Sequence, residues 1–166
     1  CSSDLYDDNH KCNITISQEA APSSADKLIK VIGGEATSEE TQGKDTDQNP
    51  LTLKMSYDGN KKTYFNSAFG QVSYPFSIRY ELEKGHTLNS IVYTPRTDSG
   101  NKWGSFDQFT VEVSTADKPD DFVKIGDYAR GNGVHTPFTI KLSKPVEDAK
   151  FVRYIINKAY EDRVSC

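Results

Sequence analysis

The residues best suited to chemistry stand close together in the stretch YTPRTDSGNKWGSF, from Tyr93 to Phe106. It carries a fork-shaped cation (Arg96), a carboxylate (Asp98), an amide (Asn101) and the chain's only tryptophan (Trp103). A guanidinium and an amide offer hydrogen bonds at fixed angles and an indole offers a broad apolar face, so together they suit a polar ligand with one apolar side. Sugars fit that description. Each residue also has a plainer reading: Trp103 can cover the end of the fold, and Arg96 can bridge Asp98 or Asp107, a pairing worth only about 0–1 kcal/mol when exposed.

A second cluster lies in SYDGNKKTYFNS, from Ser56 to Ser67. Asp58, Asn60 and Thr63 place oxygen donors around the tight turn at Gly59, a pattern that suits a hard cation such as calcium. The same spacing also describes an ordinary Asp-Gly turn held by side-chain hydrogen bonds.

Reaction chemistry has little to build on. The three histidines, His10, His86 and His135, are isolated in polar or turn-like stretches, and no nucleophile, base and orienter come together in sequence. HExxH, CxxC, GxSxG and GxGxxG patterns are absent, which removes the usual zinc, hydrolase and nucleotide signatures. The acidic pairs Asp7-Asp8, Glu39-Glu40 and Asp120-Asp121 sit in polar turns. The chain reads as a binder that performs no catalysis.

These groups must be positioned by a fold, and 166 residues allow one domain with a core of its own. Hydrophobic residues are 35% and aromatics 11%, with charge at 27%, which excludes wholesale disorder and points to a core of Phe, Tyr, Val and Ile. A net charge of −4 argues against nucleic acid or an anionic membrane as the main partner, since both are held by clustered Lys and Arg. No apolar run approaches the roughly 20 residues of a membrane-spanning helix.

Residues 1–30 read as a polar tether, and residues 31–166 as the folded domain. Short apolar or alternating runs predict strands at Leu51–Met55, Pro75–Leu82, Ser90–Thr94, Phe109–Ser114, Phe122–Tyr128, Pro137–Leu142 and Phe151–Asn157, separated by Gly-, Pro-, Asn- and Asp-rich turns. Phe109, Val111 and Val113 share one face, as do Phe138, Ile140 and Leu142. No segment keeps helical periodicity for three turns, so the class is all-β, a sandwich or barrel.

Four blocks in order, IGGEATS, SYDGNKKTYFNS, SIVYTPRTDSGNKWGSFDQFTVEVST and FVRYIINKAYEDRVSC, resemble the discoidin-like, coagulation-factor type C domain over roughly residues 31–166. Bacterial members include the family-32 carbohydrate-binding modules of secreted hydrolases. The resemblance implies an eight-stranded β-sandwich or jelly roll with a glycan site on loops at one end and a structural calcium nearby. In galactose-type binders a His, an Arg and an Asn grip sugar hydroxyls while an aromatic ring stacks on the sugar. Arg96 and Asn101 match the Arg and Asn, Asn66 stands where the His would be, and Trp103 and Tyr160 are the candidate platforms. For calcium, Asp58 and Thr63 match side-chain ligands and Asn60 supplies a backbone oxygen. Family members usually close with a further strand after the cysteine, whose Glu completes the cation shell. Here the sequence ends at Cys166, so a weak calcium site and one open sheet edge are expected.

The implied function is a non-catalytic module for galactose-like or N-acetylhexosamine glycans, monomeric, attached to a larger hydrolase at the outer cell surface or outside the cell. The alternative is a protein- or phospholipid-recognition domain of the same fold. Cys1-Ser-Ser followed by polar sequence resembles a bacterial lipoprotein after signal removal, with a lipid anchor on Cys1, and equally fits a fragment boundary. Cys12 and Cys166 can pair in an oxidising compartment, though nothing in the sequence demands it.

Overall fold

A computed structural model of the chain describes residues 27–70, 72–96 and 102–166, with Asp162 described by its backbone alone. Among the described residues nine strands follow one another: β1 (Val31–Ala36), β2 (Glu40–Lys44), β3 (Pro50–Leu51), β4 (Phe76–Leu82), β5 (Leu88–Tyr93), β6 (Phe106–Thr115), β7 (Val123–Ala129), β8 (Phe138–Val146) and β9 (Ala149–Ala159). One antiparallel sheet has the order β1-β4-β9-β6-β7, while β5 pairs with β8 and β2 with β3. Among the described residues no helix is long and apolar enough to cross a membrane.

The alternation that predicts β6 is the alternation that builds the core. Phe109, Val111 and Val113 are buried, and Glu112 on the other face pairs with Arg153 of β9. Phe76 and Ile78 of β4, Tyr154 and Ile156 of β9 and Ile140 of β8 complete the layer between the sheets. Each such side chain contributes about 1.5–3 kcal/mol by leaving water. Burial also pushes the phenols of Tyr80, Tyr93 and Tyr154 above their usual range.

Two departures from the expected strands have local causes. Leu51–Met55 does not form a strand: β3 stops at Leu51 and a 3-10 turn runs from Leu53 to Ser56. The N–H of Leu53 donates to the Glu39 carboxylate at 2.9 Å, and the Ser56 hydroxyl donates to the Leu53 carbonyl at 2.7 Å, so side chains take the place of a partner strand. β1 and β2, with two glycines and a polar run, carry little strand signal of their own. β1 is held by its pairing with β4.

Among the described residues β5 hydrogen-bonds to β8 alone. The whole length of β5 lines a groove of about 720 Å³ that also takes in Lys27–Ile29, Ser56, Tyr80 and Cys166. Cys166 carries a free thiol, which burial raises to a pKa of about 11. Cys1, Cys12 and most of the expected tether lie outside the described residues.

Candidate functional site

The stretch between Tyr93 and Phe106 is closed at its base by the two residues that bound it. Their rings stack with centroids 4.1 Å apart and 12° between planes, and the Phe106 N–H donates to the Tyr93 hydroxyl oxygen at 3.0 Å. Both side chains are buried, so the loop springs from a rigid base. Of the expected site residues on it, Asn101 lies outside the described residues; Arg96 and Trp103 are within them.

Three chain segments meet at this end of the sandwich. The Tyr64–Phe69 segment runs beside the C-terminal residues: Phe65 N–H donates to the Cys166 carbonyl at 2.7 Å, Ser67 N–H to the Val164 carbonyl at 2.8 Å, and the Ser165 hydroxyl to the Phe65 carbonyl at 2.6 Å. The 102–105 segment joins from the other side, with Ser165 N–H donating to the Gly104 carbonyl at 3.0 Å and Gly104 N–H to the Tyr160 carbonyl at 2.9 Å. Gly104 has φ +78°, and a Cβ there would lie 2.5 Å from the Ser165 Cβ. Only glycine allows so close an approach in that backbone region.

Asn66 and Arg96 sit beneath the surface of this rim, 3% and 6% exposed. The guanidinium carbon of Arg96 stands 3.8 Å from the centroid of the Tyr64 ring, a cation–π contact. The side-chain oxygen of Asn66 is buried without a hydrogen-bond partner. What faces solvent is aromatic: Trp103 is 45% exposed and Phe69 is 56% exposed. The guanidinium carbon of Arg163 approaches both, 5.0 Å from the Trp103 ring and 5.7 Å from that of Phe69. Tyr160 is partly covered, with the Lys102 ammonium 4.8 Å from its ring.

Phe69 and Arg163 are absent from the residues singled out in the sequence. Phe69 is held by its backbone, whose N–H donates to the Glu40 carboxylate at 3.0 Å. That carboxylate also accepts from Gln42 and Gly43 N–H at 2.8 and 2.7 Å. The three hydrogen bonds, that from Phe69 foremost, hold the Glu40 pKa below its ordinary value. The exposed aromatic in SAFG was a usable signal for Phe69. For Arg163 the sequence offers none, because its neighbours come from distant segments.

The expected cation residues do come together. Asp58 accepts from the Asn60 N–H at 2.8 Å and from the Thr63 hydroxyl at 2.7 Å, around Gly59 with φ +81°. The same hydroxyl lies 2.8 Å from the Asn60 carbonyl and 3.4 Å from that of Met55. One hydroxyl has one proton, so Thr63 donates to one of these three oxygens at a time. The turn holds a single carboxylate, and no group of three His, Cys, Asp or Glu side chains able to hold a metal occurs among the described residues.

The family model of the F5/8 type C domain matches residues 35–165, a span that includes all three segments of the rim. The chain belongs to the F5/8 type C family. Solved structures similar to this F5/8 type C domain include CpGH89CBM32-5 from Clostridium perfringens in complex with GalNAc-β-1,3-galactose, at 23% identity and TM-score 0.63, covering 80% of this chain and 88% of that one. The family 32 carbohydrate-binding module of Clostridium perfringens NanJ in complex with galactose matches at 19% identity and TM-score 0.66, over 83% and 94%. The C-terminal domain of a chitobiase from Bacteroides fragilis matches at 19% and 0.63, over 84% and 92%. No curated protein matches the chain. At these identities the structural likenesses establish the β-sandwich shared with family-32 modules.

Proposed function

We propose that this domain is a non-catalytic carbohydrate-binding module for galactose-like or N-acetylhexosamine glycans. The observation that carries the reading is the meeting of three segments at one rim, where the exposed Trp103 and Phe69 rings flank the Arg163 guanidinium above the buried Arg96. Rings suit the C–H face of a pyranose, and the guanidinium and amide groups around them suit its hydroxyls. Trp103 serves as the platform, with Arg96 and Asn101 as hydroxyl partners and Tyr160 at the edge. Two structural neighbours were solved holding galactose or a GalNAc-containing disaccharide, which supports the choice of sugar class.

Calcium is part of the same proposal, held by Asp58, Thr63 and the Asn60 carbonyl. It would stiffen the approach to Tyr64–Phe69. We further propose that the module works beside a catalytic domain on extracellular glycans; the chitobiase neighbour supports this.

Titration with galactose and GalNAc, followed by NMR, tests the sugar reading. A dissociation constant of about 0.1–1 mM is expected, since one sugar buries little area. If a ring face of about 60 Å² is covered at about 25 cal/mol/Å², Trp103→Ala should weaken binding roughly tenfold without changing the melting temperature. Unchanged affinity in that variant would remove Trp103 from the site, and no binding to any neutral hexose would end the proposal. One observation favours a second reading: two exposed rings beside Lys102 and Arg163 also have the form of a membrane-inserting spike. Sedimentation with phosphatidylserine vesicles separates the two.

A further inference from the structure

Arg163 is unusual among the arginines of this chain. Arg79 pairs with Glu35 at 2.7 Å, Arg153 with Glu112, and Arg130 donates to the Thr136 hydroxyl at 3.1 Å. Arg163 makes two ring contacts, and no hydrogen bond or ion pair engages it among the described residues. In a chain with 24 acidic residues against 20 basic ones, a partly covered guanidinium with no ion pair among the described residues calls for a reason.

The ring contacts do not supply one. A cation–π contact at an exposed site is worth about 0.5–1 kcal/mol and uses none of the five N–H donors. Those donors form a planar fork that matches a carboxylate or a sulfate, and the two rings beside it limit how much water competes for it. The Glu40 carboxylate, bonded to the Phe69 N–H, already accepts three backbone N–H groups. Among the described residues, then, no carboxylate occupies the fork, and it has the shape to take an anion.

We propose that Arg163 selects glycans carrying an anionic group, a sulfate ester or a carboxylate, on or next to the hexose at the rim. This rests on the carbohydrate-binding reading above and adds the substituent that the site favours. Phe69 and Trp103 act as side walls that fix the guanidinium, and Gly43 helps seat Phe69, since a Cβ there would stand 2.7 Å from its ring.

The test is isothermal titration of the whole chain with galactose, galactose 6-sulfate and galacturonic acid, in 50 and 500 mM NaCl. For the wild type, at least one anionic hexose should bind about fivefold tighter than galactose at low salt, the ceiling for an exposed ion pair, and the advantage should shrink at high salt. Which of the two gains tells sulfate from carboxylate. Arg163→Gln should bring all three sugars within twofold of each other while leaving the melting temperature near wild type. Arg163→Lys, which keeps the charge and loses the fork, should retain part of the gain. Equal binding of the three sugars by the wild type, or an advantage that survives in Arg163→Gln, would overturn the inference and leave the neutral-sugar reading standing. Loss of all sugar binding would sink both. Arg163-dependent binding to phosphatidylserine vesicles, with no anionic-sugar preference, would overturn it in favour of a membrane.

Discussion

Gly104 is the position where one added methyl group tests the architecture of the rim most directly. Its φ of +78° is a region that costs an L-residue about 1–2 kcal/mol, and the new Cβ would meet the Ser165 Cβ at 2.5 Å, the Ser165 nitrogen at 2.6 Å and the Val164 carbonyl carbon at 3.0 Å. Two of those three atoms are backbone, so no side-chain rotation relieves the contact. Overpacking of this kind adds about 1–3 kcal/mol, for a total of about 3 kcal/mol. In a domain of this size that lowers Tm by roughly 10 °C. Relief by separation would break the hydrogen bond from Ser165 N–H to the Gly104 carbonyl, carrying Trp103 away from Arg163. Gly104→Ala should therefore lose most sugar affinity even at temperatures where circular dichroism still shows a folded sandwich. A variant that melts within 2 °C of wild type and binds galactose normally would refute the argument that this seam builds the site.

Three further outcomes follow from named groups. The Glu40 pKa is depressed in the folded state, so its contribution is present above the unfolded carboxylate pKa and is lost as pH falls through the lower folded value; Phe69 should loosen over that acidic window, and Glu40→Gln should flatten the change seen by NMR of the Phe69 ring. The half-buried Cys166 thiol, with its pKa raised to about 11, should react more slowly with iodoacetamide at pH 8 in the native protein than in urea, and equal rates would contradict the raised pKa. Added calcium should raise the melting temperature in millimolar solution, and Asp58→Asn should abolish that shift while leaving the calcium-free melting point near wild type; an identical calcium response in the variant would place the ion elsewhere.

The sheet core was legible because its signal is local. Phe109, Val111 and Val113 alternate in sequence and are buried in the structure, and the turn residues around them mark the strand ends. Leu51–Met55 misled because Leu51 and Leu53 are both buried, as in a strand, yet the Leu53 N–H is satisfied by the Glu39 side chain. The Asp58–Thr63 turn was readable for the same reason as the core: its partners lie within a few residues. At the rim, Arg96 and Trp103 stood out by residue type, whereas their exposure did not. Arg96 proves nearly buried on Tyr64, and Phe69 and Arg163 become neighbours only when the C-terminal residues pair beside the Tyr64–Phe69 segment. Long-range pairing of that kind leaves no local pattern.

The strip from Val164 to Cys166 binds Phe65 and Ser67 on one flank, and its Ser165 reaches Gly104 on the other. A proteolytic cut between Arg163 and Val164 would unlace the recognition surface while the five-stranded sheet kept its shape. Such a nicked molecule would pass as native by size and spectrum yet bind no ligand, so intact mass belongs beside every affinity measured on this domain.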